Sequence, residues 1–545
     1  MLVAQDEIVH TWTLIGKVGD SGVPGNPHLH LTFRRNNGGY FSHCWNNGQQ
    51  CPNGENPQQP QGHRPSPMMT AAGPTTLVDG QTYTSINGRV HLPCLRNNDS
   101  GWTSEFYVRN NGTESRSVKI TYFQQNGAST ITDTCILFPR QRCRIPMNLG
   151  GRLPAGTAGS AVIDAGENLS VVVFEMQNFE LNEYNGVVSA DGVLGCEQID
   201  DTLYAPIIKN AFGGRSSRIF IMNASQTATT AKVQFYNAST GNTVGTVRSY
   251  SLAANGSTSV ASTECPAGVL CSAKIWTTNG MLLAVVIREQ TDSTTYDRTT
   301  HNAFSIGATS NFVPLIKKNA GGQSTSIAVM NLGTGTTTVS ITCYPETGNS
   351  IACGTRSVPK FATAVFIMNG ADGSSLPDGF LGSAVISTSP AQPVASLVYE
   401  TGAPYKLVTN VPLAGSKAAY APHLYGNYSS NPTWDTGISV QNVSAVNANV
   451  TVTYYDGGGN VFGQPYSNTL SPSRTWIVNY GRGNLPEGFN GTAYIQSNQP
   501  IVAIVNVADN TPGHDTKASY TVPNRWPRLH PNNEAPRRSR SRGFY

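Results

Sequence analysis

Charged residues are scarce in this chain of 545 residues, at 12% of the total, about half of the share that soluble proteins usually have. The net charge of +4 is small for this length and gives no argument for binding to nucleic acid. No apolar run approaches the roughly 20 residues that a membrane-spanning helix needs, so we expect no transmembrane segment. No recurring stretch has the periodicity of an amphipathic helix. Because Gly, Ser, Thr, Asn, Val and Tyr are plentiful, the composition favours an all-β protein.

From about residue 84 the chain repeats itself four times. Each repeat opens with a strand pattern around a proline, and these prolines lie about 108 to 113 residues apart, at Pro93, Pro206, Pro314 and Pro422. A second strand pattern ends in asparagine, at Asn110, Asn223, Asn331 and Asn442. A Val- and Tyr-rich strand follows, and each repeat closes with a Gly-Ser-Ala-like strand and a final apolar strand.

A period near 108 residues with about seven short strands matches the size of an immunoglobulin-like or fibronectin-type sandwich. We therefore predict four tandem sandwiches at residues 84–198, 199–300, 301–410 and 411–523, and we expect them to be independent of one another. The likeness is one of architecture only. Residues 45–83 are rich in Asn, Gln and Pro and are predicted to be a linker of low order. The basic tail at 524–545 is predicted to be disordered.

The ten cysteines are spaced for local pairing. Eight of them form close pairs, which we expect to be disulfides: Cys44–Cys51, Cys135–Cys143, Cys265–Cys271 and Cys343–Cys353. The remaining two, Cys94 and Cys196, bracket the first repeat and are expected to join. The alternatives are unpaired thiols or a metal site, although no C-x-x-C spacing occurs. Local disulfides are typical of exported proteins, so the predicted location is extracellular or at the cell surface.

Tyrosines recur at one position of the repeats, and two roles are open for them. They can pack in the core or across strands, or they can form stacking platforms for sugars; recurrence favours packing. This set comprises Tyr122, Tyr236, Tyr344, Tyr454 and Tyr455. The isolated histidines His301, His423 and His514 are predicted to be structural or surface residues rather than metal ligands.

Near the start of the chain, a Gly- and Pro-rich turn leads into the alternating sequence His-Leu-His-Leu-Thr-Phe at residues 28–33. The alternation predicts a β-strand with His28, His30 and Thr32 on one face. Two imidazoles on one strand face can share a metal ion and its activated water. A His-x-His pair is weak evidence by itself, and its context is more specific.

Residues 5–33 resemble the end of the lysostaphin-type zinc metallopeptidase domain, of the duplicated hybrid motif fold, whose members cleave peptidoglycan. Asp6, Ile8, residues 14–16 and 18–19, Ser21-Gly22 and the His28-Leu29-His30 segment match the family pattern in order. The resemblance implies that His30 is a metal ligand and His28 the catalytic histidine. It also implies zinc as the cofactor and peptidoglycan, or another cell-wall or surface glycan, as the partner.

The family also has an upstream H-x-x-x-D pair, and the corresponding positions would precede Met1. A catalytic zinc needs three protein ligands and a water, and this chain supplies one of the three. We expect residues 1–44 to be the C-terminal part of a metallopeptidase domain that is inactive in this chain alone and holds zinc only if a longer chain supplies the missing ligands. The predicted fold class is therefore a truncated peptidase β-domain followed by four tandem immunoglobulin-like β-sandwich repeats.

Two functions follow. The first is a portion of a secreted, cell-wall-directed zinc endopeptidase that carries tandem β-sandwich modules. The alternative is a non-enzymatic extracellular surface or adhesive protein built from the repeats.

Overall fold

The structure, a computed structural model, describes residues 89–522 apart from short internal gaps at 165–168, 178–179, 190–198, 292–297, 403–404, 430–432 and 510–516. It also describes the backbone of seven short strands nearer the start: β1 (Leu14–Lys17), β2 (Leu29–Arg34), β3 (Tyr40–Asn46), β4 (Gln49–Gln50), β5 (Met68–Thr70), β6 (Gly73–Thr75) and β7 (Thr82–Thr84). The predicted tail at 524–545 and most of the predicted linker at 45–83 lie outside the described residues.

The four repeats follow as thirty-two further strands. The first contains β8 (Arg89–Asn97), β9 (Thr103–Asn110), β10 (Arg116–Gln124), β11 (Ser129–Leu137), β12 (Arg142–Pro146), β13 (Thr157–Asp164), β14 (Leu169–Gln177), β15 (Glu180–Asn185) and β16 (Val187–Ser189). The second contains β17 (Thr202–Lys209), β18 (Arg215–Asn223), β19 (Thr229–Asn237), β20 (Thr243–Leu252), β21 (Ser257–Ala261), β22 (Leu270–Thr277), β23 (Leu283–Thr291) and β24 (Arg298–Asn302).

The third contains β25 (Ser310–Lys318), β26 (Ser324–Asn331), β27 (Thr337–Pro345), β28 (Ile351–Val358), β29 (Thr363–Ile367), β30 (Phe380–Ser389), β31 (Val394–Gly402) and β32 (Tyr405–Asn410). The fourth contains β33 (Ser416–Gly426), β34 (Trp434–Asn442), β35 (Ala448–Asp456), β36 (Tyr466–Leu470), β37 (Thr475–Val478), β38 (Phe489–Asp509) and β39 (Lys517–Thr521). Within the described residues, the helical structure is a single 3-10 turn at Tyr480–Arg482.

Each repeat is a sandwich of two antiparallel sheets, so the predicted all-β, tandem-sandwich fold is confirmed. In the first three repeats the strand order is 4-3-6-1 in one sheet and 5-2-7-8 in the other, and in the first repeat a ninth strand, β16, extends the first of these sheets beside β8. This order differs from the immunoglobulin arrangement, in which the first and second strands share a sheet. In the fourth repeat, the 21-residue strand β38 supplies both the sixth and the seventh positions and so runs from one sheet into the other.

The recurring asparagine at the end of each second strand forms a buried corner. In the first repeat, the Asn110 side chain donates to the carbonyls of Glu114 and Leu137, while its Oδ1 accepts the N–H of Gly112 at 2.9 Å. Asn223, Asn331 and Asn442 make the corresponding bonds in their own repeats. One amide thereby satisfies turn groups that would otherwise be buried without a partner, which explains why this residue recurs.

The predicted packing role of the recurring tyrosines is confirmed for the three that are buried, Tyr122, Tyr236 and Tyr454. The rings of Tyr122 and Tyr454 lie in the cores of their sandwiches, whereas Tyr236 packs against Phe361 of the next repeat, with ring centroids 4.6 Å apart. Burial raises the pKa of all three phenols. The predictions for His301 and His423 are also confirmed, because both are buried structural residues. His514 lies outside the described residues.

Two of the predicted disulfides are confirmed, Cys265–Cys271 and Cys343–Cys353. The predicted disulfide between Cys135 and Cys143 is absent: both residues are free thiols, and they hydrogen-bond to each other. The bond from Cys94 to Cys196 is also wrong: Cys94 is a buried free thiol that donates to Oε1 of Glu175 at 3.3 Å. Burial and the Glu175 charge raise the pKa of Cys94 to about 12. The pairing of Cys44 with Cys51 involves residues whose side chains are not described and stays a prediction.

The expectation that the repeats are independent is wrong. The first strand of each repeat packs against the second and seventh strands of the next: β8 on β18 and β23, β17 on β26 and β31, β25 on β34 and β38, and β33 back on β9 and β14. The eighth strands β15, β24, β32 and β39 contact one another in the same cyclic order. A head-to-tail contact that returns to the first repeat closes a ring, so the four repeats form one body.

Candidate functional site

The ring is closed where the four eighth strands meet, each ending in a polar residue. The N–H of Asn302 donates to Asn410 Oδ1 at 2.9 Å, and Asn410 Nδ2 donates back to the Asn302 carbonyl at 2.8 Å. Asn302 Nδ2 reaches the Asn185 carbonyl at 2.9 Å, and Asn185 Nδ2 reaches the Thr521 carbonyl at 2.9 Å. Thr521 Oγ1 returns to the Asn410 carbonyl at 3.0 Å. This circuit takes one residue from every repeat, and sequence reasoning did not find it.

A buried glutamate on the seventh strand marks three of the four seams between repeats. At the seam of repeats two and three, Lys209 Nζ lies 2.6 Å from Glu289 Oε2, and the Tyr399 hydroxyl donates to Oε1 at 2.6 Å. Lys209 and Glu289 belong to the second repeat and Tyr399 to the third. Burial by itself would raise the pKa of Glu289, but the Lys209 charge and both hydrogen bonds hold it below the usual value.

The same arrangement recurs on either side. At the seam of repeats three and four, Lys317 Nζ lies 2.6 Å from Glu400 Oε2, and Asn506 of the fourth repeat donates to Glu400 Oε1 at 2.7 Å. At the seam of repeats one and two, Glu175 lies between Arg96, at 3.5 Å, and Arg288 of the second repeat, at 3.7 Å. Each of these three glutamates thus contacts a polar residue of the next repeat. In its own repeat, that polar residue directly precedes the position that aligns with the glutamate.

The seam between the fourth and first repeats has no such glutamate. Val507 occupies its position, and Phe174 occupies the position of the polar partner. His423 stacks on Tyr107 of the first repeat with ring centroids 3.8 Å apart and meets Phe174 edge-on at 5.2 Å. Aromatic packing therefore replaces the buried ion pair at the one seam that no peptide linker spans.

Arginines of the first repeat cover this aromatic seam. Arg142 hydrogen-bonds to His423 Nδ1 and to the Asn490 side chain, and donates to the Gly491 carbonyl at 3.0 Å. Its guanidinium also lies over the Tyr107 ring, 5.1 Å from the centroid. Burial, together with the charges of Arg142 and Arg144, lowers the pKa of His423 well below its usual value, so this imidazole is neutral at physiological pH.

An open cleft of about 660 Å³ lies at the seam of the third and fourth repeats. One wall is the hairpin between β27 and β28, and the other includes β36, β37 and the turn at Tyr480–Arg482. Arg482 pairs with both carboxylate oxygens of Glu346, at 2.6 and 3.2 Å, and Arg474 donates to the carbonyls of Pro345 and Gly348. These contacts hold the hairpin over the cleft.

The cleft lining combines apolar and hydrogen-bonding groups. Asn468, Ser471 and Asn484 supply polar side chains, while Leu470 and Trp476 border the cleft from the core of the fourth repeat and are only 4% and 8% exposed. A volume of this size is within the usual range for small-molecule sites, and the amides and hydroxyls can form hydrogen bonds to a hydroxyl-rich ligand. The residues were not singled out from the sequence, because strand, turn and hairpin positions of two repeats meet only in the folded ring.

The predicted metal site falls largely outside the described residues. His28 is not described, while His30 lies in β2, opposite Cys44 of β3 in the antiparallel register. Among the residues that the structure describes between 89 and 522, no three His, Cys, Asp or Glu side chains form a metal-binding group. The roles of His28 and His30, and of zinc, stay predictions.

No family model matches this chain, and no curated protein matches it. Among solved structures, the crystal structure of Thermotoga maritima 1070 aligns with 16% identity over 21% of this chain and 95% of its own, at a TM-score of 0.18. A tetra-tandem repeat from the extending region of a large adhesion protein aligns with 12% identity over 78% of this chain and 96% of its own, at a TM-score of 0.10. A glycoside hydrolase of family 32 from Bifidobacterium adolescentis aligns at 10% identity over 79% and 95% of the two chains, with a TM-score of 0.12. Likenesses at these scores carry no argument about function. Separately, within the part of the chain that the structure describes, no helix is long and apolar enough to cross a membrane.

Proposed function

We propose that this chain is a non-enzymatic extracellular binding protein whose closed ring of four β-sandwiches presents a recognition cleft for a surface or cell-wall glycan. The observation that carries the proposal is the cleft between the third and fourth repeats, where Trp476, Asn468 and Asn484 line about 660 Å³ of open space. Sugars are bound by hydrogen bonds to amides and hydroxyls, which this lining offers, and the small exposed part of Trp476 adds limited apolar contact.

The ring supports this role because it fixes the two walls of the cleft relative to each other. Gln441 of the fourth repeat donates to the Ala384 carbonyl of the third at 3.1 Å, and Thr475 Oγ1 donates to the Pro314 carbonyl at 2.7 Å. Leu315, Ile477 and Ile504 add a buried apolar cluster at the same seam. A site with pre-positioned walls loses less conformational entropy when it binds a ligand.

Binding of the purified full chain to glycan arrays and to insoluble peptidoglycan tests the proposal. We expect retention on at least one glycan class and a loss of at least tenfold in affinity for the double variant Asn468→Ala/Arg482→Ala, because both side chains line the cleft and are exposed. The matched control is Asn242→Ala/Arg248→Ala, which also removes an exposed amide and an exposed, glutamate-paired arginine, but in the second repeat. Retention on no glycan, or equal loss in both double variants, would contradict the assignment.

The second candidate remains the portion of a secreted zinc endopeptidase. The observation in its favour is that Leu29–Arg34 form a strand, as the alternation of histidine and leucine predicts. This chain alone is expected to bind zinc no better than an exposed histidine pair and to leave a pentaglycine substrate intact. Stoichiometric zinc that survives dialysis against a mild chelator would show that further ligands lie within the chain.

A further inference from the structure

The seam between the fourth and first repeats contains a buried guanidinium with unused hydrogen-bond donors. Arg109 is 0% exposed, and its Nη1 donates to Asn111 Oδ1 at 2.6 Å. Its Nε and Nη2 have no hydrogen-bond partner among the described residues. The rings of Tyr420 and Tyr455, from the fourth repeat, lie 5.3 and 5.8 Å from the guanidinium carbon. A buried charge with two unpaired N–H groups is costly unless a further group is bound to it.

A second unpaired donor lies at the same seam. In the first three repeats, the serine of the Gly-Ser-Ala-like strand donates to a carbonyl of the next repeat: Ser160 to Asn255, Ser272 to Phe361 and Ser383 to Ser473. Thr492 holds this position in the fourth repeat, is fully buried, and its hydroxyl has no partner among the described residues. Thr492 lies opposite Tyr455 in the strand ladder, and Tyr455 is one of the rings beside Arg109.

The local charge is positive on both sides of the aromatic rings. Arg140 lies over Tyr420 at 5.8 Å and over Tyr494 at 4.9 Å, and it donates to the Asn111 carbonyl. Burial and the Arg140 charge lower the pKa of Arg109 to about 9, so the guanidinium remains charged at neutral pH. Among the described residues, neither Arg109 nor Arg140 forms an ion pair with a carboxylate, in contrast to the cations at the other three seams.

The fold does not require an arginine at this position. The equivalent residues of the second and third repeats, one before the corner asparagine, are Met222 and Met330, and both are fully buried. Met222 packs with Phe123 and Val162 of the preceding repeat, where Arg109 instead faces tyrosine rings. The arginine is therefore an addition to the seam that closes the ring.

We propose that this seam binds a small oxyanion, a phosphate, sulfate or carboxylate group, through the Arg109 Nε and Nη2 donors and the Thr492 hydroxyl. A guanidinium presents two parallel N–H groups that match two oxygens of such an anion. The bound group would link Arg109 of the first repeat to Thr492 of the fourth and so hold the ring closed. A ligand that binds only the closed form stabilises it by an amount that grows with the logarithm of the ligand concentration once that exceeds the dissociation constant.

Thermal unfolding and titration calorimetry of the full chain with inorganic phosphate, sulfate and acetate, at constant ionic strength set with chloride, test this proposal. With at least one of the three anions we expect saturable binding in the calorimeter and a melting temperature that rises with the logarithm of the anion concentration. Arg109→Met, which installs the residue of the second and third repeats, is expected to abolish the rise, and Thr492→Val to weaken binding several-fold. Arg248→Met, at an exposed arginine of the second repeat, should leave the response unchanged.

The ranking of the three anions distinguishes a phosphate or sulfate ligand from a carboxylate. If the wild-type chain shows saturable binding of none of the three anions, the proposal is overturned, and the unpaired donors are then hydrogen-bonded to water. An unchanged response in Arg109→Met would overturn it as well. If Arg109→Met fails to fold by circular dichroism, Thr492→Val decides the outcome, because it removes one buried hydroxyl and keeps the side-chain shape.

Discussion

The buried triad of Lys209, Glu289 and Tyr399 allows a direct test of whether the repeats stabilise one another. Tyr399→Phe removes only the hydroxyl that the third repeat donates to the second repeat's carboxylate at 2.6 Å. Hydrogen bonds to buried charged groups contribute about 1.5–3 kcal/mol, so we expect the free energy of unfolding to fall by about 2 kcal/mol. Lys209→Met should cost more, about 3 kcal/mol, because Glu289 is 0% exposed and the other nearby cation, Arg215, lies 3.9 Å away.

The measurement is urea unfolding at neutral pH, followed by circular dichroism, together with hydrogen exchange of the seam strands. In a closed ring, Tyr399→Phe should increase exchange in β17 of the second repeat as well as in β31 of the third. The control is Tyr250→Phe, because the Tyr250 hydroxyl makes no hydrogen bond among the described residues. Its removal should change the free energy of unfolding by less than about 0.5 kcal/mol. If Tyr399→Phe is no more destabilising than Tyr250→Phe, or if only the third repeat exchanges faster, the coupling across this seam is refuted.

Three further predictions concern the ring as a whole. Small-angle X-ray scattering should give a radius of gyration of about 24 Å, the value for a compact chain of this length. Four sandwiches about 35 Å long that are joined end to end would give roughly 40 Å, and this larger value would exclude ring closure. The pKa of His423 is depressed in the folded state, so the unfolded state binds more protons below pH 6.5 and stability falls as the pH drops from 6.5 towards the folded pKa. His423→Phe should reduce the slope of unfolding free energy against pH in this range by up to about 1.4 kcal/mol per pH unit, as measured by unfolding at several pH values, and an unchanged slope would contradict the assignment. A Cβ at Gly241 would lie 2.0 Å from the Lys360 carbonyl oxygen of the next repeat, whereas one at Gly213 would meet nothing within 4 Å, and both glycines have positive φ. Gly241→Ala should therefore lower the melting temperature clearly more than Gly213→Ala, and equal losses would show that the strain of the positive φ is the whole effect.

The features that could be predicted from the sequence depend on residues close to one another in the chain. The alternation of Val and Tyr, the four opening prolines and the corner asparagines predict strands, turns and sandwiches because their contacts span a few residues, as from Asn110 to Gly112. The disulfides Cys265–Cys271 and Cys343–Cys353 are local for the same reason. The Cys94 prediction failed because that thiol's partner is Glu175, 81 residues away, on a strand that only the tertiary fold brings beside it.

The sequence by itself thus determined the all-β class, the four periods and the local corners, since these follow from strand periodicity and short-range hydrogen bonding. Ring closure was decided by the tertiary structure alone: Asn185 reaches Thr521 across 336 residues, and Arg142 reaches His423 across 281. No periodic pattern encodes such contacts, because they depend on how four twisted sandwiches pack around one another. The replacement of the buried ion pair by aromatic rings between the fourth and first repeats cannot be recognised in the sequence, because only the folded ring brings these two repeats into contact.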